Sequence, residues 1–217
     1  MKLDPDGAQF YPAAFTTVQI DSLERALGEV PPGRAGLRLR PTSGLAGVVG
    51  PATAMAVSIL GRGARPVRAT LFDKTEARNW SLGWHQDRTI AVQQKVETPG
   101  FADWTTKAGI AHVVPPFEIL ERMLTIRIQI DPAGTENGPL LVVPGSHRLG
   151  RIAERDVADI VARGHTRSCP ARRGDLWVYA TPILHASARA ARPGRRRVLQ
   201  LLYSTDELPD GLAWLGI

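Results

Sequence analysis

Apolar and polar positions alternate along much of the chain beyond residue 66, most clearly over 122–131. There Leu124, Ile126, Ile128 and Ile130 fall on one side of an extended strand, and Thr125, Arg127, Gln129 and Asp131 on the other, because successive strand side chains point to opposite faces. Two arrangements satisfy the pattern. Either the polar face meets solvent, or the aliphatic face packs beneath helices and the polar face lines the interior of a barrel. Similar short runs, separated by Gly, Pro, Asn and Asp turns, predict strands near 67–72, 84–92, 140–143, 166–169, 175–179, 185–188 and 197–203. About eight short strands predict a mainly β domain: a sandwich, a jelly roll or a barrel.

Helical spacing covers 20–29, with Asp21 or Ser22 as cap and Pro31-Pro32-Gly33 as stop, and a second helix takes part of 46–60. A third runs over 154–163 to Gly164, and Pro115-Pro116 opens a shorter helical turn. The segment 93–114 has no clear period, and a loop that long in a compact domain is usually functional, which predicts a lid. The chain therefore reads as a single domain, 1–217, with a helical N-terminal part at 1–65, a β core at 66–205 and a tail at 206–217.

Composition narrows the class. With 217 residues, 43% hydrophobic and 22% charged, the chain is of ordinary globular make-up. A lone Cys169 allows no internal disulfide and suits a reducing cytoplasm. The start, with Asp4, Pro5 and Asp6, lacks the basic and apolar run of an export signal. The longest apolar stretch, 45–60, is interrupted by glycines and a proline and is shorter than the ~20 residues of a bilayer span. A cytoplasmic protein without a membrane anchor is expected. The net charge of +6 comes almost wholly from arginine, which reads as compositional bias. The densest run, 189–197, reads as a solvated strand entrance more readily than as a nucleic-acid footprint.

Trp84-His85-Gln86-Asp87 puts an imidazole and a carboxylate on one face of a strand, a spacing suited to two ligands of one metal. Alone the pair is weak, since five His and twelve Asp give about 0.3 such pairs by chance. His185 supplies a third partner, with Ser187 on the same strand face. Two His and one carboxylate leave adjacent positions open on a non-haem Fe(II) ion. Arg196, on a neighbouring strand, can grip the far carboxylate of a ligand whose other end chelates the iron, which points to 2-oxoglutarate.

At these residues the sequence resembles the phytanoyl-CoA dioxygenase-like branch of the Fe(II)- and 2-oxoglutarate-dependent oxygenases. The matching motifs are His85-Gln86-Asp87, Glu136-Asn137-Gly138-Pro139-Leu140 running into Val143-Pro144-Gly145-Ser146-His147, Gly174-Asp175, and His185-x-Ser187 with Arg196. The resemblance implies a double-stranded β-helix, a cupin-like jelly roll with N-terminal and flanking helices. It implies His85, Asp87 and His185 as metal ligands and Arg196, Ser187 and Thr70 around 2-oxoglutarate. Arg127 stands where many members carry a tryptophan, and it turns inward toward a cosubstrate or substrate anion. Iron, 2-oxoglutarate and O2 are the implied cofactors, with succinate and CO2 released as a small metabolite is hydroxylated, and Arg127 leans that metabolite toward one bearing a carboxylate. Related halogenases lack the carboxylate that Asp87 supplies, so its presence favours hydroxylation, or desaturation or ring closure by the same oxidant.

Trp104, Gln86, Lys74 and Gln94, with Asn79 and Arg88, are candidate substrate contacts, although Trp104, like Trp84 and Trp177, reads first as a core residue. His147 reads as a turn residue, His112 as an exposed residue of the lid, and His165 as a loop residue. A cupin-like metal protein without oxygenase activity, which would not need Arg196, and a basic nucleic-acid-binding protein are the rival classes.

Overall fold

The computed structural model describes residues 3–29 and 35–217. Its elements run β1 (Ala8–Tyr11), α1 (Thr17–Leu27), β2 (Gly36–Arg38), α2 (Ser43–Val48), α3 (Gly50–Leu60), β3 (Arg65–Lys74), β4 (Leu82–His85), β5 (Ile90–Val92), β6 (Ala102–Lys107), β7 (Ile110–Val114) and α4 (Phe117–Glu121). They continue through β8 (Leu124–Gln129), β9 (Leu140–Val142), α5 (Val157–Arg163), β10 (Arg167–Cys169), β11 (Leu176–Ala180), β12 (His185–Ser187) and β13 (Arg196–Ser204). Six strands form a major sheet in the order β1-β11-β8-β13-β3-β2, and four form a minor sheet, β10-β9-β12-β4. The result is a jelly roll, with a further three-stranded sheet, β5-β7-β6, beside it.

The alternation of β8 decides which face of the major sheet is which. Leu124, Ile126, Ile128 and Ile130 join Ala69, Leu71, Val178, Leu199 and Leu201 in a core covered by Ile20 and Leu23 of α1 and Ala52, Ala56 and Ile59 of α3. The polar partners Thr125, Arg127 and Gln129 are buried as well, so the polar face lines the interior and the solvent-facing alternative fails. A second core joins the sheets, with Ala8, Trp177 and Tyr179 against Leu140, Val142 and Cys169.

Several local expectations change. Helix α1 begins earlier than its apolar spacing indicates, because Thr16 and Gln19 form a reciprocal capping box, with Gln19 N donating to Thr16 Oγ1 at 3.3 Å and Thr16 N to Gln19 Oε1 at 2.8 Å. Asp21 and Ser22 thus lie inside the helix, and the expected Pro31-Pro32-Gly33 stop lies outside the described residues. The N-terminal part also contributes two edge strands, β1 and β2, to the major sheet. The segment expected as an irregular lid is the hairpin β6–β7, closed by Ala108 and Gly109, both at positive φ (54° and 73°), as a two-residue turn of matching twist requires. The strand expected over 84–92 divides into β4 and β5. No helix among the described residues is long and apolar enough to cross a membrane.

Candidate functional site

His85 ends β4 directly opposite His185 of β12, with the two ring centroids 4.3 Å apart. Asp87 lies beyond the strand, so its position depends on the intervening Gln86 rather than on strand alternation. The Gln86 amide donates to the Gly150 and Pro182 carbonyls at 3.0 and 2.8 Å and accepts from Ile152 N at 2.9 Å. This buried clamp returns the chain so that ligand atoms of His85, Asp87 and His185 lie within 4.8 Å of one another.

The donor set suits a divalent cation. Nδ1 of His185 meets the Ile183 carbonyl at 2.9 Å and Nδ1 of His85 meets the Gly83 carbonyl at 2.7 Å. A carbonyl only accepts, so each Nδ1 carries a proton, and Nε2 is the nitrogen left to ligate a metal. Burial pushes the His185 pKa down to about 4, helped by the His85 charge. Burial alone would raise the Asp87 pKa, but Arg68 first, then His185 and His85, hold it below the usual value. Asp87 Oδ2 is buried without a hydrogen-bond donor, and Arg68 Nη2 stands off at 3.7 Å. Two imidazoles with Nδ1 tied to a carbonyl and an under-coordinated carboxylate held below its usual pKa suit a 2-His-1-carboxylate iron site.

At the far end of β3 the register sets Arg196 opposite Lys74 and Gln200 opposite both Thr70 and Arg127. Arg196 is buried, and Nη1 donates to the Gly138 carbonyl, which also accepts from Ser187 Oγ at 3.1 Å. Its Nε and Nη2 are buried without an acceptor. Lys74 Nζ donates to Ser187 Oγ at 3.0 Å and to the Ala188 carbonyl and lies 4.7 Å from the Trp80 ring centroid. Burial, then Arg196 and Arg127, pushes its pKa down to about 7. Gly138 sits at φ 57°, and a Cβ there would come within 2.5 Å of the Ala188 carbonyl and 2.8 Å of Lys74 Nζ, which explains the glycine of that motif.

Arg127 donates to Gln200 Oε1 at 3.1 Å, an atom it shares with the Tyr179 hydroxyl at 3.2 Å, and its guanidinium carbon is 5.3 Å from the Phe72 ring centroid. Its Nε has no acceptor. Buried cations with unfilled donors are costly unless an anion completes them. The cluster Lys74, Arg127, Arg196 and Ser187 therefore fits a carboxylate such as the distal one of 2-oxoglutarate.

A cavity of about 750 Å³ runs past the metal triad and is lined by Thr70, Arg127 and Ser187 among others, while Lys74 and Arg196 lie just behind its wall. Of the expected substrate contacts, Gln86 lines this cavity but its amide is fully engaged, and Lys74 belongs with Ser187 and Arg196. Trp104 packs against the core of Ile90, Val113 and Leu120, and Gln94 is exposed; neither lines the cavity. Asn79 exchanges hydrogen bonds with the Ala190 backbone at 2.7 Å in both directions. Arg88 is held by Glu154 at 3.2 Å and by the Ile152 carbonyl. His147 packs on Gly7, where a Cβ would lie 2.2 Å from its Nδ1, and is not in the metal cluster. His112 is buried, contrary to expectation: it sits on the central strand of the β5-β7-β6 sheet, with Nδ1 on the Ile110 carbonyl at 3.0 Å.

Sequence reasoning did not single out Arg38, Arg68, Lys107 and Gln200, which also line the cavity. Arg68 was within reach, since it shares strand parity with Thr70. The run 189–197 is solvated as expected at Arg189, Arg192 and Arg195, but not at its C-terminal end. Arg196 is buried, and Arg192, Arg195 and Arg197 pair with Glu136 (3.1 Å), Asp73 (3.5 Å) and Asp131 (2.7 Å).

A family model described as Phytanoyl-CoA dioxygenase (PhyH) matches residues 58–198. No curated protein sequence matches the chain. Among solved structures, AviO1 from Streptomyces viridochromogenes Tue57 is similar with a TM-score of 0.66 at 19% identity, covering 94% of this chain and 92% of that one. HygX from Streptomyces hygroscopicus, with nickel, 2-oxoglutarate and hygromycin B bound, gives 0.62 at 16% identity, covering 93% and 84%. EctD from S. alaskensis, with 2-oxoglutarate and 5-hydroxyectoine, gives 0.70 at 17% identity, covering 99% and 77%. At these identities the solved structures establish the shared fold.

Proposed function

The chain belongs to the phytanoyl-CoA dioxygenase family and is a non-haem iron, 2-oxoglutarate-dependent oxygenase, and we propose that it hydroxylates a small metabolite at an iron held by His85, Asp87 and His185. The observation that carries this reading is that the triad and Arg127, with its unfilled Nε, line one cavity, while the unfilled donors of Arg196 stand beside Ser187 of its wall, both residues donating to the Gly138 carbonyl. Iron with 2-oxoglutarate and O2 supplies the oxidant, releasing succinate and CO2.

The protein's part is to bind and orient. The Nδ1 hydrogen bonds fix the tautomer of both imidazoles, and Arg68 keeps Asp87 ionised. Arg196, Lys74 and Ser187 hold the distal carboxylate, with Thr70 and Arg127 along the cavity wall. The cupin-like alternative gives no use to the unfilled donors of Arg196, and the ion pairs within the arginine run weaken the nucleic-acid alternative. The test is turnover of candidate metabolites with Fe(II) and 2-oxoglutarate in air. Succinate released in step with a product heavier by one oxygen atom supports hydroxylation; a product of unchanged or lower mass contradicts it.

A further inference from the structure

Apart from Arg127 and the Glu154-paired Arg88, the cations in and behind the cavity wall fall into two groups. One, Lys74 and Arg196, stands at the C-terminal end of β3 and is accounted for by the cosubstrate. The other stands six residues away on the same strand, at Arg68, roughly 20 Å along the backbone at strand rise, too far for the same small diacid to serve both.

Arg68, Arg38 and Lys107 all line the cavity. They come from three elements. Arg38 of β2 is opposite Thr70 of β3 and so shares the inner face with Arg68. Lys107 ends β6 at the turn of the hairpin, and Arg40 Nη2 ties that turn to the β2 side by donating to the Gly109 carbonyl at 3.0 Å. Among the described residues no carboxylate forms an ion pair with Arg38 or Lys107, whereas Arg88 on the same cavity is matched by Glu154. Arg68 is 9% exposed, reaches Asp87 only at 3.7 Å, and leaves Nε buried without an acceptor. Burial and mutual repulsion lower the pKa values of Arg38 and Lys107. The nearby His112 is pushed down to about 4, chiefly by burial, with all three cations adding, and so contributes no positive charge near neutrality. Once a metal shares the Asp87 charge, these cations lose their nearest acid.

We propose that the substrate carries an anionic oxygen group, a carboxylate or a phosphate, that Arg38, Arg68 and Lys107 bind on the metal side of the cavity, away from the Lys74 and Arg196 end. This rests on the oxygenase reading of the cavity and names the substrate class. Guanidinium groups on adjacent strands offer forked donors to such a group, and Lys107 adds a point charge from the hairpin. An anchor at the end of the cavity opposite the cosubstrate carboxylate would then position the target C–H bond.

The test uses the full chain loaded with nickel and saturated with 2-oxoglutarate, and ligand-observed NMR titration with acetate, its neutral isostere acetamide, and methylphosphonate. Acetate or methylphosphonate binds, acetamide does not, and the tighter of the two anions identifies the group. In the double variant Arg38→Gln/Lys107→Gln the anion affinity falls about tenfold or more, as loss of charge-assisted donors requires. The single variant Lys107→Gln gives a smaller loss, and persistent 2-oxoglutarate binding in both shows that the fold is retained. Equal binding of acetate and acetamide, an undiminished affinity in the double variant, or displacement of 2-oxoglutarate by acetate would overturn the proposal. Failure of nickel and 2-oxoglutarate to bind the wild-type chain would instead overturn the oxygenase reading, a separate result.

Discussion

His85 and His185 are direct cross-strand partners, and each presents Nδ1 to the carbonyl two residues before it, Gly83 at 2.7 Å and Ile183 at 2.9 Å. The same local bond on both strands leaves Nε2 of each ring as the nitrogen available to a metal beside Asp87. Replacing a member of this set is expected to remove metal binding: His185→Ala or Asp87→Ala weakens Mn(II) or Fe(II) affinity by on the order of a hundredfold or more. His147→Ala leaves it unchanged. Equilibrium dialysis under anaerobic conditions measures both, and an equal loss in His147→Ala would show that the wrong histidine has been chosen.

Arg196 and Lys74 should separate from the metal set. Arg196→Ala is expected to weaken 2-oxoglutarate binding by on the order of a hundredfold, and Lys74→Met by about tenfold, because each removes a buried charged donor to a carboxylate. Metal affinity without 2-oxoglutarate stays at the wild-type value. Calorimetric titration of 2-oxoglutarate into metal-loaded protein gives the numbers, and losses of metal and cosubstrate in equal measure would refute the assigned roles.

Lys74 also makes a pH prediction. In the free protein its pKa is lowered to about 7, so it is charged below that pH and neutral above it. A carboxylate bound beside it favours the charged form, so the complex has a higher pKa and binding takes up a proton between the two values. With metal saturating, 2-oxoglutarate affinity should therefore fall as pH rises above 7, by at most about tenfold per unit. Lys74→Met should flatten the dependence. A wild-type affinity that is constant or rises from pH 7 to 9 would contradict this.

Neighbouring arginines on β13 have opposite duties because strand side chains alternate. Arg197 faces outward and joins Asp131 through Nε at 2.7 Å and Nη2 at 2.8 Å, with Glu24 of α1 at 2.5 Å. Asp131→Ala is expected to lower stability by about 2 kcal/mol, since it strips a part-buried guanidinium of its main partner. Urea unfolding measures the loss, and 2-oxoglutarate affinity should not change. A variant as stable as wild type but defective in cosubstrate binding would reverse the two roles.

What the sequence revealed followed the range of the interactions. The alternation of β8 was visible because it lies within one strand, but only the helices that cover Ile126 and Ile128 show which face is inside. His85, Asp87, His185 and Arg196 were legible because their motifs are local and ordered. The Gln86 clamp was not, since its partners Gly150, Ile152 and Pro182 lie 64 to 96 residues away. Arg38 and Lys107 gave no signal at all, because neither sits in a motif and a hairpin turn and an edge strand bring them together. Trp104 allowed two readings, core or substrate contact, and the core reading holds: it packs against a cluster formed by distant apolar residues, which its polar neighbours in sequence do not reveal.

The central claim is that one iron, held by His85, Asp87 and His185, is chelated by a 2-oxoglutarate whose far end meets Arg196. Anaerobic titration of the protein with Fe(II) and 2-oxoglutarate tests it most directly through the visible absorption spectrum. The expected result is a weak charge-transfer band that requires both components, saturates at one of each per chain, and is absent in His185→Ala. Full iron occupancy with saturating 2-oxoglutarate and no such band in the wild-type protein would contradict the account.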